Sequence, residues 1–204
     1  MSSLKMHIAI SLQIQKHFNF SDAFLLGTIL PDMFKTILKD KAITHFLIDD
    51  CIVLEDFINS QNTIEDELIL GYYAHLIEDN IWYEEYMKKT YKLYSEYTDD
   101  KIYNDYAFVD SIMYEKLNIN MNDILESLLK TVEHTDITKI KLLNDEIINF
   151  LTTKETKEAI KENCKDYYCD GNNYFYKIED AENYYKLALK ESIEKIKKII
   201  NYNA

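Results

Sequence analysis

His75 and Asp79 stand four residues apart in the run TIEDELILGYYAHLIEDNIW, Thr63 to Trp82. On a helix this spacing puts an imidazole and a carboxylate one above the other on one face, where together they can bind a single cation. The run reads as a helix: Leu68, Gly71, Tyr72, His75, Leu76, Asp79, Trp82 and Tyr83 recur at spacings of three and four. Thr63 is placed to cap it, with its hydroxyl accepting a bond from the backbone N–H near Asp66. Gly71, one turn before His75, lowers helix stability relative to Ala, so a close neighbour is expected on that side. Taken alone, the pair also has a plainer use as hydrogen-bonded core residues.

Other groups of the same chemistry lie nearby in the chain. Three of the five histidines, His7, His45 and His75, fall in the N-terminal half with Asp32 and Asp79. His17 and His134 have no partner at ligand spacing. Each ends an expected helix, where positive charge is favoured, and both read as structural. Asp32 follows the only proline, and Pro31 biases Leu30 away from helix. Asp32 is therefore expected at a helix start or in a rigid turn, where the helix dipole would also stabilise its carboxylate.

The order of these groups is distinctive. His7 lies early in the first helix and precedes Gly27-Thr28-Ile29-Leu30-Pro31-Asp32. An isolated His45-Phe46 follows, then Gly71-Tyr72-Tyr73-Ala74-His75-Leu76-Ile77-Glu78-Asp79. Over roughly residues 1–115 this resembles the zinc-dependent phospholipase C family, an all-helical fold shared with single-strand-specific fungal nucleases. The resemblance implies that His45, His75 and Asp79 hold one metal ion, and that His7 and Asp79 hold a second, with Asp79 bridging. It places Asp32 beside the attacking water, as general base or as a further ligand.

Zinc is the implied metal, as one or two ions, with other divalent metals able to take its place. Neutral imidazoles and carboxylates suit zinc, and an open coordination position lowers the pKa of a water to about 7. A second cation within about 4 Å steadies the attacking and leaving oxygens of a phosphate ester. The implied substrate is a small-molecule or lipid phosphate ester.

This chain departs from the family downstream of Asp79. There the family places two further histidines and an acidic residue for a third ion. Here NIWYEEYMKKTY has no histidine, His134 lacks a partner four residues on, and Glu85, Asp105 and Asp110 are the nearby carboxylates. The family's amino-terminal tryptophan coordinates through its own amine, whereas this chain begins Met1-Ser2. At most two ions are expected.

Composition narrows the alternatives. The net charge is −13 and all 23 basic residues are lysine. An acidic body disfavours duplex nucleic acid, and without arginine no bidentate fork exists for phosphate, so metal or lysine must handle it. No His-Asp dipeptide, His-Glu-x-x-His, Glu-x-x-His or Gly-rich phosphate loop is present. Cys51, Cys164 and Cys169 form neither a disulfide framework nor a Cys-x-x-Cys knuckle, and Cys51 reads as core. Lys5, His7, Gln13 and Gln15 interrupt the start, and no run is long enough to span a membrane. A cytoplasmic protein is expected.

Three glycines, one proline and 47% hydrophobic residues predict an all-α multi-helix bundle with a substantial core. One domain, 1–204, is expected, with the site in 1–117 and a helical C-terminal part in 118–204. The pattern predicts a helix over 4–17, then a short one capped by Ser21 that ends near Gly27. Residues 33–48 read as a loop or a helix broken around Lys39 to Lys41, and a helix is expected over 49–60. The central helix should continue to about Tyr97, and Thr98 to Asp100 read as a linker. Helices are expected over 101–117, 121–133 (capped by Asn120 or Asn122) and 139–151, then from Thr152 or Thr153 to Asn163. Residues 164–179 read as irregular, with a turn at Asp170–Asn173 and the option of a short hairpin. Asp180 should cap a last helix to Ile200. Two functions fit: a metal-dependent hydrolase of a phosphate ester, or a non-enzymatic helical binding module with a structural metal site or a core His/Asp network.

Overall fold

The computed structural model describes residues 3–88, 98–143, 151–165, 169–172 and 174–202. Among these the chain is an all-α, multi-helix bundle. Its helices are α1 (Leu4–Phe18), α2 (Asp22–Leu38), α3 (Lys41–His45), α4 (Leu54–Ser60), α5 (Glu67–Trp82), α6 (Asp99–Leu117), α7 (Met121–His134), α8 (Thr153–Asn163) and α9 (Ile178–Tyr202). One small antiparallel pair, β1 (Leu47–Ile48) and β2 (Cys51–Ile52), sets Leu47 opposite Ile52. No helix among the described residues is long and apolar enough to cross a membrane.

Helix α5 is the centre of the bundle, buried at every residue from Leu68 to Asp79. A helix apolar on all sides needs partners on all sides. One apolar cluster joins it to α2, α4, α7 and α8 through residues such as Leu26, Phe57, Leu128 and Ile160. A second, rich in aromatic rings, joins it to α1, α6 and α9 through Ile10, Val109, Trp82 and Tyr184. The cap is Asp66, whose side chain accepts from the Leu68 N–H at 3.0 Å. Thr63, expected in that role, lies outside the helix and offers only its carbonyl, to the Asp66 N–H.

Helices α2 and α5 meet backbone to backbone. A methyl group on Gly27 would lie 2.0 Å from the Leu68 carbonyl oxygen, and one on Gly71 would lie 2.0 Å from that of Phe24. The neighbour expected beside Gly71 is therefore α2, and each helix contributes the glycine that admits the other. This close crossing sets Thr28 and Asp32 of α2 against His75 and Asp79 of α5.

The structure corrects the reading of α2. Ser21 caps it as expected, accepting from the Ala23 N–H at 3.3 Å. The helix does not stop near Gly27, however, but runs through Pro31 to Leu38 and ends at Lys39 with φ 57°. Pro31 lacks the N–H that would bond the Gly27 carbonyl, a defect of roughly 3 kcal/mol in a helix interior. Every residue from Phe24 to Phe34 is buried. Each large apolar side chain so buried contributes about 1.5–3 kcal/mol, and together they outweigh the proline. Asp32 thus sits mid-helix, so the helix-dipole account of it no longer holds.

Asp40 caps α3 through the Ile43 N–H at 3.1 Å. The helix expected over 49–60 shortens to α4. Before it, Asp49 (φ 49°) and Asp50 (φ 62°) make the tight turn between β1 and β2, which leaves Cys51 exposed rather than in the core. The continuation of α5 is followed to Lys88 through a π-helical turn, Tyr83–Met87, and residues 89–97 lie outside the description. Thr98, read as linker, is the extended residue before α6, which starts at Asp99.

Asn120 caps α7. Thr152 caps α8 in a reciprocal box with Glu155. Of the helix expected over 139–151, residues 144–150 lie outside the description; Lys139 belongs to a 3₁₀ turn, Ile137–Lys139, and residues 140–143 and 151 are not helical. Helix α9 begins two residues before Asp180, whose carboxylate reaches back to the Lys177 N–H at 3.2 Å. No strand occurs among the described residues of 164–179. Instead the buried Asp105 carboxylate accepts backbone N–H bonds from Tyr174, Phe175 and Tyr176 at 2.7, 2.6 and 3.0 Å.

Candidate metal centre

Four elements deliver the five residues. His7 comes from α1, Asp32 from α2, His45 from the last position of α3, and His75 with Asp79 from α5. Three of these elements are long helices held by core packing. The short α3 is pinned separately: the Tyr72 hydroxyl donates to the Thr44 carbonyl, and Phe57 stacks on Tyr72 at 5.1 Å beneath Phe46. Tyr72 precedes His75 by three residues on α5, so the same helix places both His45 and His75.

All five side chains converge. His45 Nε2 lies 3.3 Å from His75 Nε2, 3.6 Å from Asp32 Oδ1 and 3.7 Å from Asp79 Oδ2. His75 Nε2 is 3.7 Å from the same Asp79 oxygen. On the other side His7 Nε2 is 3.1 Å from Asp79 Oδ1, and the His7 ring stacks on His75 at 3.9 Å. Two groups here could hold a metal ion: His7, His75 and Asp79, and Asp32, His45 and His75.

The hydrogen bonds of His75 assign its ring nitrogens. His75 Nδ1 is 2.8 Å from the Thr28 carbonyl, which can only accept, so Nδ1 carries the proton and Nε2 presents a lone pair. His45 Nδ1 lies 2.9 Å from the Thr44 hydroxyl, which accepts from Nδ1–H when it donates to the Asp40 carbonyl at 3.2 Å and donates to Nδ1 in the other tautomer. In the first tautomer His45 Nε2 also turns a lone pair inward, and in the second its N–H faces His75 Nε2 at 3.3 Å. Burial holds the pKa of His75 well below its ordinary value and lowers that of His45, so both rings stay neutral. In the first tautomer the two lone pairs, 3.3 Å apart, repel unless a cation lies between them. Tetrahedral ligands about 2.0–2.1 Å from one ion lie roughly 3.3–3.4 Å from each other, close to the separations found.

His75 has one lone pair to give. The two groups that share it are consequently not two complete sites. If His75 joins Asp32, His45 and Asp79, a second position keeps only His7 and the other Asp79 oxygen.

Charge around the centre is balanced. Burial opposes the ionisation of Asp32, but His45 and Lys35 outweigh it and hold the carboxyl well below the usual range. Lys35 Nζ lies 2.6 Å from Asp32 Oδ1. Burial also opposes the charge on Asp79, and positive neighbours including His7 keep it ionised. His7 behaves differently from the other two histidines. Burial would lower its pKa, yet its bonds to Asp79 and Glu78 prevail and raise it to about 10.

Glu78 and Lys35 were not anticipated. Glu78 Oε2 lies 2.6 Å from His7 Nδ1, and the residue is wholly buried. Its signal was adjacency to Asp79 on a helix that proves to be buried all round. Lys35 could have been found as the lysine one turn after Asp32. The downstream carboxylates serve elsewhere: Asp105 holds the 174–176 backbone, Asp110 accepts from the Ser3 hydroxyl at 2.5 Å, and Glu85 is exposed. His17 and His134 are exposed at helix ends. Met1-Ser2 lie outside the description.

The centre is closed on most sides. His7, His45, His75 and Glu78 have no exposed surface, and Asp79 is 1% exposed. Asp32 is 6% exposed and the Lys35 side chain 27%, so among the described residues solvent approaches from the Asp32–Lys35 side. A separate cavity of about 240 Å³, lined by Leu4, Lys5, Asp110, Asn163 and Lys165 among others, includes none of the five residues. Comparison with protein families, curated proteins and solved structures finds no match.

Proposed function

We propose that the chain is a metal-dependent hydrolase of a phosphate ester, using one or two divalent ions, zinc foremost. One observation carries this reading: the Nε2 atoms of two neutral imidazoles face each other at 3.3 Å, with ionised Asp32 and Asp79 beside them. The donor set of imidazole nitrogen and carboxylate oxygen is the one zinc takes in hydrolytic sites, and the order of the motifs resembles the zinc-dependent phospholipases C.

A bound zinc ion supplies Lewis acidity and makes water a nucleophile at neutral pH. The remaining tasks belong to the chain. His45, His75 and Asp79 hold the ion, with the two rings fixed by Thr44 and Thr28. Asp32, on the side open to solvent, accepts the proton of the attacking water. Lys35, paired with Asp32, puts an ammonium on the side where an anionic ester approaches, and lysine is the cationic side chain available for phosphate in a chain without arginine. The buried walls keep the reacting atoms in a low dielectric, where such charges act strongly.

The complete burial of the three histidines favours a second reading, a structural ion in a non-enzymatic helical module. Turnover separates the two. Protein loaded with zinc is expected to release p-nitrophenolate from bis(p-nitrophenyl) phosphate, to stop when a chelator is added and to resume when zinc is restored. A zinc-loaded protein that hydrolyses neither this ester nor phosphatidylcholine would leave the structural ion as the function.

A further inference from the structure

Glu78 is a poor choice for stability alone. It is wholly buried, and its Oε1 has no hydrogen-bond partner among the described residues. Its Oε2 has a single partner, His7 Nδ1 at 2.6 Å. A buried carboxylate with one satisfied oxygen is commonly no better for stability than an apolar side chain of similar volume. Its position is nevertheless well fixed, since it follows His75 by three residues on the central helix and the Tyr184 hydroxyl donates to its carbonyl at 3.2 Å.

What the carboxylate does is decided at the opposite edge of the imidazole. With Nδ1 bonded to Glu78, the His7 ring must turn Nε2 toward Asp79, 3.1 Å away. Stacking on His75 at 3.9 Å, with 18° between the planes, stops the ring from tilting out of that line. The chain Glu78–His7–Asp79 is the carboxylate–histidine arrangement that fixes a metal-binding ring and raises its basicity. His45 and His75 have only neutral oxygens, of Thr44 and Thr28, in the same place.

We infer that Glu78 is a positioning residue that accepts from His7 Nδ1, turns His7 Nε2 toward Asp79 and so makes this pair a metal-binding position in its own right. The inference rests on the metal-centre reading above and adds to it an unequal pair of positions. The one holding His45 and His75 depends on ligand number. The one at His7 and Asp79, with two protein ligands, depends on the bond from His7 Nδ1 to Glu78.

The test compares Glu78→Gln and Glu78→Leu with the parent by zinc titration against a chelating dye, with circular dichroism confirming the fold. Gln keeps an oxygen that can accept from Nδ1 but loses the charge, whereas Leu loses both. The weakest-bound zinc should therefore lose affinity by about 10-fold in Glu78→Gln and up to about 100-fold in Glu78→Leu, the usual range for a supporting carboxylate. A merely structural role would lower melting temperature without this graded loss. If the variants fail to fold, ¹⁵N-histidine spectra of the zinc-loaded parent decide the matter. His7 should then be protonated at Nδ1 and bound through Nε2, and the opposite assignment would overturn the inference. Equal zinc affinity in parent and both variants would overturn it alone. A parent that takes up no zinc would overturn the metal-centre reading, and this inference with it.

Discussion

His75→Ala is expected to remove most of the bound metal, with affinity falling by more than the roughly 100-fold that loss of a supporting hydrogen bond costs. His75 is the residue both candidate groups share. Its loss leaves His45 with Asp32 and Asp79, and His7 with Asp79, neither a three-ligand set containing two imidazoles. His45→Ala should act in the same direction, since it removes the other half of the facing pair. His134→Ala should change nothing, because His134 is exposed at the end of α7. Equal metal loss in all three variants would show that ions bind the acidic surface and not the centre.

Asp32→Asn is expected to slow turnover by roughly 10²–10⁴-fold while leaving metal content nearly intact, the effect of removing a general base but not its shape. The structure supports the choice of residue. Asp32 is 6% exposed against 1% for Asp79 and none for Glu78, and His45 and Lys35 keep it ionised against burial. Asparagine retains a neutral oxygen at the same place but cannot take a proton. If metal and rate fall together, Asp32 is a ligand first. If neither moves on a substrate the parent hydrolyses, the assignment as base is lost. Metal and rate should be measured on the same sample, because the two outcomes differ only in their relation.

The centre was legible in the sequence because its chemistry is carried by residue types that are scarce in the chain. Five histidines and one proline leave few ways to draw the pattern, and His75 and Asp79 declare themselves at helical spacing. The all-α class followed from the shortage of Gly and Pro. What was not legible depended on tertiary context. Pro31 was read as a stop because local sterics say so, yet α2 passes through it under the burial of its neighbours against α5. Cys51 was read as core because nothing announced the turn at Asp49-Asp50, a conformation that needs two left-handed residues and shows no glycine.

Glu78 illustrates the same limit at the site. Beside Asp79 it reads as one of many acidic residues in a chain of charge −13, most of them free to face solvent. Only the packing of α5 on all sides forces it inward, and only the fold brings His7 to meet it across 71 positions of sequence. Asp105 is a parallel case, since its three backbone partners lie about 70 residues away and leave no trace in local periodicity.

The central claim is that the facing imidazoles of His45 and His75 are a metal site, and elemental analysis tests it most directly. The protein is to be purified without chelators and without a metal-affinity tag, and its metal measured per chain before and after equilibration with zinc at neutral pH. The expected result is about one to two equivalents of a divalent metal, zinc first, held through dialysis. A chain that arrives free of metal and takes up none from added zinc would contradict the account.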